Sequence, residues 1–244
     1  AILNLGLPSH IHGYTLNRAC TSSLQTISDA ARTIKFGSPH MILAGGVEVL
    51  SDVPIVYSEK ARKFLVKLSK AKSAADKLNM VSKFSAKDWL PSPPSLSEPL
   101  TGLTMGESAE VMAKLNDIGR EAQDEFAMLS HKNAAAAQEK GILAEEIVPI
   151  WPAPNYEKAV DADNIIRADA NMEQLGKLRA AFDKKYGTLS AGNSSPITDG
   201  AAVTLVADQK VAESYGLKPK AKIKDMIFVG VNPYEQLLIG PAIA

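Results

Sequence analysis

Hydrophobic residues first recur at helical spacing shortly after residue 20, and this period predicts an amphipathic helix. The apolar positions, three or four residues apart, are Leu24, Ile27, Ala31 and Ile34. Thr21 or Ser22 suits the N-cap of this helix, and Gly37 suits its end. Cys20, the only cysteine of the chain, therefore stands at or just before a helix N-terminus.

Short apolar runs predict strands on both sides of the chain's centre. Residues 41–44 form one run, closed by Gly45 and Gly46, and residues 202–207 form another, followed by a predicted helix at 208–215. Both runs are typical of buried strands, and 221–229 is a further strand candidate. The glycine pair either admits close approach of the backbone to a reacting centre or forms a plain turn at the strand end. The order of strands and helices indicates an α/β sheet.

The middle of the chain alternates between predicted helices and loops. Helices are predicted at 107–116 and 120–140, with Gly119 at the N-cap of the second and Gly141 at its end. Apolar residues on one face of the second helix are Ala122, Phe126, Leu129 and Ala136. Two stretches rich in Pro, Gly, Ser or Asn, 150–170 and 187–200, are predicted to be loops. A short helix or turn is predicted between them, at 175–182.

Residues 60–87 are strongly basic, with nine Lys or Arg residues against one acidic residue, Asp76. Apolar residues interleave with the cations at helix-like steps, at Phe64, Leu65, Leu68, Leu78, Val81 and Phe84. Such a segment fits contact with an anionic membrane, contact with a partner subunit or steering of substrate phosphates. It equally fits a solvated helical face.

Composition and charge exclude several classes of protein. The 45% hydrophobic and 22% charged content is that of a globular protein, and 27 basic residues balance 27 acidic ones, which gives no case for nucleic-acid binding. A single cysteine excludes an intrachain disulfide, and no apolar run reaches the ~18 residues of a membrane span. We find no phosphate-binding glycine loop, metal-ligand spacing or dinucleotide fingerprint, so a metal, flavin or nicotinamide cofactor is not expected.

Cys20 has two interpretations from its position alone. The unpaired N–H groups at a helix start favour a negative charge, and a thiolate is a usable nucleophile at neutral pH. The alternative is a buried structural cysteine, which is the commoner fate of a lone Cys.

Five segments resemble motifs of the thiolase family and occur in the family's order. They are NRACTSSLQ at 17–25, AGGVEVLSDVP at 44–54, MGESAE at 105–110, QDEFA at 123–127 and GTLSAGNSSPITDGAA at 187–202. Each segment is weakly specific alone, but five in order are highly specific. The sequence of the basic segment is also similar to that of the thiolases of fatty-acid β-oxidation (trifunctional) complexes. The chain resembles the thiolase (beta) subunit of these complexes most.

The resemblance implies an acyltransferase that cleaves 3-ketoacyl-CoA with CoA to acetyl-CoA and a shortened acyl-CoA, through an acyl-thioester on Cys20. Two alternatives are an acetoacetyl-CoA thiolase (an acetyl-CoA acetyltransferase) and a non-catalytic subunit that binds acyl-CoA or acts as a scaffold. The substrate or CoA contacts that the resemblance implies are Met105, Arg167, Ala191 and Ser195. It implies CoA as a substrate, with no bound cofactor and no metal.

The implied fold is the layered αβαβα arrangement of thiolases, here mostly the N-terminal half with its inserted loop domain. We assign 1–51 and 187–216 to the N-terminal domain, 52–186 to the loop domain and 217–244 to the start of the C-terminal domain. The family implies a homodimer at least, a possible hydratase/dehydrogenase partner subunit and possible peripheral membrane contact through 60–87, with no nucleic acid. The expected location is the cytoplasm in a bacterium or the mitochondrion in a eukaryote.

Three catalytic features of the family are absent from these 244 residues. They are a Gly-His-Pro segment whose His activates the nucleophile, a second Cys that protonates the leaving carbanion, and an Asn of the second half that helps to form an oxyanion site. The four histidines, His10, His12, His40 and His131, lie in other contexts. We therefore expect the sequence to be the middle of a longer enzyme, and these residues alone not to complete the cycle.

Overall fold

The computed structural model describes residues 2–92 and 95–244. The strands of this part of the chain are β1 (Met41–Glu48), β2 (Val56–Tyr57), β3 (Pro91–Ser92) and β4 (Gly200–Ala207). The helices are α1 (Ser22–Lys35), α2 (Glu59–Lys70), α3 (Ala74–Ser82), α4 (Met105–Leu115), α5 (Arg120–Glu139), α6 (Met172–Gly176), α7 (Gln209–Ser214), α8 (Pro233–Gln236) and α9 (Gly240–Ile243).

The chain divides into two compact units. The sheet unit contains the segment that ends at Val53 together with Ile197–Phe228, and the helical unit contains Pro54–Pro196 together with Val229–Ala244. The assignment of 1–51, 52–186, 187–216 and 217–244 to thiolase domains remains a prediction.

An antiparallel pair of strands, β1 and β4, forms the centre of the sheet unit. Their register runs from Met41 opposite Ala207 to Glu48 opposite Gly200. Helix α1 packs on the face that carries Ala44, which is buried. Alternate residues point to the opposite face, where Leu43 and Val47 are 68% and 73% exposed. The prediction of two buried strands is therefore wrong for this face, because a two-stranded ribbon with one helix can bury only one side.

Gly45 and Gly46 lie inside β1 instead of ending it. A Cβ on Gly45 would overlap the carbonyl oxygen of Ala202 in β4, and a Cβ on Gly46 would overlap the Ser23 hydroxyl of α1. The two glycines therefore let the strand approach β4 and α1 closely. The alternative interpretation, in which the glycine pair forms a turn at the strand end, is wrong.

The predicted limits of α1 are partly confirmed. Gly37 follows the last turn with a φ of +100°, and its N–H donates to the carbonyl of Ile34 at 2.9 Å, as expected for a helix that ends in the left-handed conformation. Thr21 occupies the N-cap, but no side-chain capping bond forms there within the described residues. The Thr21 hydroxyl instead donates to the carbonyl of Arg18 at 2.9 Å, so it belongs to the preceding turn.

Residues 221–229 do not form the predicted strand in the part of the chain that the structure describes. Phe228 lies under the guanidinium groups of Arg18 and Arg32, with ring-centroid distances of 4.8 Å and 5.1 Å. Phe228 is thus held by cation–π contacts, and no strand of the described residues pairs with this segment.

The basic segment folds into two helices, α2 and α3, and a 3-10 turn at Ala86–Trp89. Phe64 stacks on Phe84 at a centroid distance of 4.1 Å, and both rings meet Trp89 edge-on at 5.6 Å and 5.1 Å. Phe64 is buried in this aromatic cluster. The cluster holds the segment together, so these two phenylalanines are not part of an exposed apolar face.

Helices α4 and α5 match their predicted ranges closely. α4 begins at Met105, two residues early, because Thr104 and Glu107 form a reciprocal capping box: Glu107 N–H donates to the Thr104 hydroxyl at 3.2 Å, and Thr104 N–H donates to the Glu107 carboxylate at 2.8 Å. Gly119 is the N-cap of α5, and Gly141 follows its end with a φ of +73°.

The buried side of α5 is not the apolar side. Phe126 is 75% exposed and Leu129 is 52% exposed, whereas Asp124 is 1% exposed. The predicted apolar stripe therefore faces outward at Phe126 and Leu129, and Asp124 faces inward beside the half-buried Ala127 and Met128. Across residues 2–92 and 95–244, each helix is too short or too polar to span a membrane.

Candidate active site

Cys20 lies on a tight turn at the entrance to α1, and it is exposed. The buried structural cysteine that the sequence left as an alternative therefore does not fit. Ala19, the residue before it, has a φ of +46°. A non-glycine residue in the left-handed region costs about 1–3 kcal/mol, so the surrounding contacts must hold this turn in place.

Polar side chains on both sides of Cys20 hold the turn. The Asn17 side chain accepts from Ala19 N–H at 2.8 Å. Ser22 accepts from Arg18 N–H at 2.9 Å, and its hydroxyl donates to the carbonyl of Ala19 at 2.7 Å. The turn is thus fixed by residues of its own segment, 17–25, and places Cys20 immediately before the N-cap of α1.

The first turn of α1 sits directly on the glycine pair of β1. The Thr26 hydroxyl lies 3.3 Å from the carbonyl oxygen of Gly45, to which it donates, and Ser23 occupies the space above Gly46. The segments 17–25 and 44–54, identified separately in the sequence, therefore meet within the sheet unit. This contact sets the position of the helix start that follows Cys20.

Asp199, which sequence reasoning missed, joins the loop after β1 to the segment before β4. Its carboxylate accepts from Leu50 N–H at 2.7 Å, from Ser51 N–H at 2.9 Å and from the Ser51 hydroxyl. The hydrogen bond from the Ser51 side chain is the main reason why the pKa of Asp199 is lowered, with the backbone N–H groups adding to it. The segments 44–54 and 187–202 are thus also joined in this unit.

The remaining predicted site residues belong to the helical unit. Met105 is the first residue of α4 and is 42% exposed. Arg167 is exposed, and its backbone N–H donates to Nδ1 of His131 at 3.3 Å. Ala191 and Ser195 are exposed and share one loop, 187–196. The structure therefore brings Ala191 and Ser195 together and places Met105 and Arg167 on separate elements.

A buried carboxylate that the sequence analysis did not select holds the start of this loop. Glu110 of α4 is 3% exposed, and its carboxylate accepts from the N–H groups of Thr188 and Leu189 at 2.9 Å and 3.0 Å. Glu110 is the last residue of the segment 105–110 and lies at the midpoint of α4, and its place in the sequence does not indicate this role. Only its burial against residues 78 positions later along the chain reveals it.

A second buried group of polar residues holds the centre of the loop. Asp124 of α5 accepts from Arg120 Nε at 2.7 Å and from Asn193 Nδ2 at 2.9 Å. Arg120 also donates to the carbonyls of Leu175 and Leu178 at 2.5 Å and 3.0 Å. The segments 123–127 and 187–202 therefore meet at this ion pair.

A small concavity lies elsewhere in the helical unit, with a volume of about 270 Å³. It is lined by Leu100, Thr101, Leu103, Ser108, Val111, Pro233, Tyr234, Glu235 and Leu237. None of the four predicted contacts of this unit lines it, so its position does not bear on those assignments. Across the described ranges, no group of three or more His, Cys, Asp or Glu side chains is arranged to hold a metal ion.

Comparison with known families gives one match over most of the chain. The family model of the thiolase N-terminal domain matches residues 1–210. A 3-ketoacyl-CoA thiolase of Pectobacterium carotovorum is 40% identical over 243 residues, which are 100% of this chain and 55% of that protein. A 3-ketoacyl-CoA thiolase of Yersinia enterocolitica is 37% identical over 243 residues, which are 56% of that protein. The chain therefore spans about half the length of the relatives that it matches.

Two solved structures resemble the chain in fold. Human mitochondrial 3-ketoacyl-CoA thiolase in complex with CoA gives a TM-score of 0.70 with 25% identity, over 89% of this chain and 50% of that one. The acetyl-CoA acetyltransferase of Bacillus anthracis gives a TM-score of 0.69 with 31% identity, over 89% of this chain and 51% of that one.

Proposed function

Because the chain belongs to the thiolase family, through the N-terminal domain that matches residues 1–210, we propose that it carries the nucleophile of an acetyl-CoA C-acyltransferase. The family match and both structural neighbours confirm the family and the α/β thiolase fold that the five motif segments predict. The proposed reaction converts a 3-ketoacyl-CoA and CoA into acetyl-CoA and a shortened acyl-CoA in fatty-acid β-oxidation. The names of the relatives support this reaction.

The exposed position of Cys20 on a fixed turn at a helix start is the observation that carries the proposal. In the first step the Cys20 thiolate attacks the C3 carbonyl of the substrate, and the C2–C3 bond breaks. The electron pair leaves on C2 of acetyl-CoA, which takes up a proton, and the acyl group remains as a thioester on Sγ. In the second step the thiol of CoA loses its proton and attacks the thioester, which releases the shortened acyl-CoA and restores the thiolate.

Acylation of Cys20 tests the proposal directly. The protein that contains this chain is incubated with a 3-ketoacyl-CoA, quenched in acid and digested, and the acyl adduct is located by mass spectrometry. We expect the adduct on Cys20, and we expect Cys20→Ser to lower thiolysis on the order of 10³-fold or more. The control is CoA binding and the circular dichroism of Cys20→Ser, which should match the wild type. An adduct on another residue, or unchanged thiolysis, would overturn the assignment.

Two neighbouring functions give different outcomes in the same assays. An acetoacetyl-CoA thiolase would turn over the four-carbon substrate and leave long-chain 3-ketoacyl-CoA untouched. A non-catalytic acyl-CoA-binding or scaffold subunit would bind CoA without acylation or thiolysis. We favour the β-oxidation enzyme because the relatives share that name over the full length of this chain.

CoA is the ligand that we propose for the helical unit, as the structural neighbour with bound CoA supports. The proposed contacts are Met105, Arg167, Ala191 and Ser195. All four are at least partly exposed, so each is accessible to a ligand. We further propose a homo-oligomer, a hydratase/dehydrogenase partner subunit, and a location in the cytoplasm of a bacterium or the mitochondrion of a eukaryote.

The basic surface of α2 supports a second role, which is docking to an anionic membrane. Val66, which is 54% exposed, lies among four cations of α2, namely Arg62, Lys63, Lys67 and Lys70, and one acid, Glu59, which pairs with Lys63. Phe64 is held in the aromatic cluster, so attraction to this surface is mainly electrostatic. Each cation near an anionic bilayer contributes about 1 kcal/mol. Partner-subunit contact and steering of CoA phosphates are the alternatives that the charge-reversal experiment below distinguishes.

A further inference from the structure

After a single antiparallel bridge between Ala180 and Ser190, side chains hold the loop that carries Ala191 and Ser195. Ser190 N–H donates to Asn193 Oδ1 at 2.7 Å, and Gly192 N–H donates to the Ser190 hydroxyl at 3.2 Å. The carbonyl of Thr188 accepts from Asn193 Nδ2 at 3.2 Å. The loop conformation therefore depends on a small number of polar side chains, and Asn193 takes part in two of these three bonds.

Asn193 uses both ends of its side-chain amide. The amide oxygen accepts from Ser190 N–H, while the amide nitrogen donates to Asp124 Oδ1 at 2.9 Å and lies 3.4 Å from Gln123 Oε1. A residue at this position must therefore both donate and accept. An aspartate of the same size keeps the acceptor but loses the donor, and it faces the Asp124 carboxylate with like charge.

Arg120 fixes the side chain of Asp124. Asp124 is 1% exposed, and Arg120 holds it at 2.7 Å while donating to the carbonyls of Leu175 and Leu178. The side chains of the same two leucines press on the loop, because a Cβ on Gly192 would lie 2.5 Å from a methyl carbon of each. Arg120 thus binds both the backbone of the two leucines that contact the loop and the Asp124 carboxylate that binds Asn193.

The exposed ligand candidates lie directly beside this buried frame. Ala191 lies between Ser190, which is 0% exposed, and Gly192, which packs on the two leucines. Ser195 follows Asn193 by two residues and is exposed. The positions of both residues therefore depend on the hydrogen bonds of Asn193 at the centre of the loop, together with the Glu110 carboxylate that holds its start.

We infer that Asn193, held by the Asp124–Arg120 pair, is a positioning residue that sets the affinity of this loop for CoA. The inference rests on the proposed function, since it takes Ala191 and Ser195 to contact CoA. The side-chain amide of Asn193 bonds to groups of the loop and of α5. It acts through the loop, so it governs CoA binding and not the acylation of Cys20.

The test is the isosteric variant Asn193→Asp in the whole protein that contains this chain. We expect the KM and Kd for CoA to rise about tenfold, as for the loss of one or two hydrogen bonds, while the rate of Cys20 acylation at saturating substrate stays within about twofold. Hydrogen exchange of the 187–196 peptide should become faster. The matched control is Asn171→Asp, which adds the same charge at the N-cap of α6, where aspartate caps equally well.

A second variant keeps the test valid if the single change destabilises the protein. Combining Asn193→Asp with Asp124→Asn exchanges the amide and the carboxylate, so it removes the like-charge pair and restores a donor between the two positions. We expect the double variant to recover most of the affinity for CoA. A folded Asn193→Asp protein with unchanged CoA affinity, or an exchange variant weaker than both single variants, overturns the inference. A wild-type protein that binds no CoA overturns the proposed function first, and this inference with it.

Discussion

A methyl group added at Gly45 should destabilise the sheet unit far more than the same group added at its neighbour Gly46. A Cβ on Gly45 would lie 3.0 Å from Val203 Cα and closer still to the carbonyl oxygen of Ala202. Both atoms belong to the backbone of β4 and cannot move without breaking the register of the pair. A Cβ on Gly46 would overlap only the Ser23 hydroxyl, while the Cβ of Ser23 would stay 3.5 Å away.

The expected magnitudes follow from what each neighbour can do. Overpacking typically costs about 1–3 kcal/mol, and no rotamer change relieves a clash with backbone, so we expect Gly45→Ala to lose about 2 kcal/mol. At Gly46 the Ser23 side chain can rotate away, at a cost of about 0.5–1.5 kcal/mol. Replacing glycine in a strand regains about 0.5–1 kcal/mol. The net change for Gly46→Ala should therefore lie within about 1 kcal/mol of zero.

The assay is urea unfolding followed by far-UV circular dichroism, with hydrogen exchange of the β1 peptide as a local probe. Ser23→Ala supplies the control, because it removes the hydroxyl that Gly46→Ala meets and nothing that Gly45→Ala meets. In the Ser23→Ala background any loss at Gly46 should disappear, and the loss at Gly45 should remain. Equal losses at the two glycines, or rescue of Gly45→Ala by Ser23→Ala, would refute the close-packing argument.

Two further predictions concern charge. The hydrogen bond from Lys114 at 2.7 Å is the main cause that lowers the pKa of Asp183 to about 2, from an ordinary value of 3.8. Because the pKa of Asp183 is lower in the folded state, its ionisation stabilises the fold above the pKa of the unfolded state, and this stability is lost as the pH falls through about 2. The difference in Tm between wild type and Asp183→Asn should therefore shrink between pH 4 and pH 2. A constant difference would contradict this. Charge reversal of the basic surface should weaken binding to phosphatidylserine vesicles strongly, with the larger effect at low salt, and should leave thiolysis of a short-chain substrate little changed. If the variant keeps vesicle and partner binding but loses affinity for CoA, the surface steers substrate instead. If it loses only binding to the partner subunit, the surface is a subunit contact. The residues reversed to Glu are Lys63, Lys67 and Lys70 of this surface, together with Lys72, which follows α2.

Helix ends were largely predictable because their determinants are local. Gly119 is the N-cap of α5 as expected, Gly37 and Gly141 follow the ends of α1 and α5, and α5 begins and ends within one residue of its predicted limits. A helix forms its backbone hydrogen bonds within one segment, so nearby residues decide where it starts and stops. The same locality placed Cys20 at the entrance to α1, although its catalytic role remains a prediction.

Side-chain surroundings were not predictable from spacing. The apolar stripe of α5, which includes Phe126, is exposed, while Asp124 is buried. Periodicity shows which residues share a face, but it cannot show which face meets another element. For the same reason the sequence assigned Phe64 and Phe84 to an amphipathic surface, and the structure places them against each other and Trp89.

Motifs and periodicity predicted the family, the α/β class, the ends of α1, α4 and α5 and the place of Cys20 at a helix start. Three features became visible only in the folded chain: Gly45 and Gly46 lie inside a strand, 221–229 pairs with no strand among the described residues, and buried carboxylates hold the 187–196 loop. These features depend on residues that are far apart along the chain. Asp199 binds Ser51 across 148 positions, and Glu110 binds Leu189 across 79, and such partners become neighbours only when the whole fold has formed.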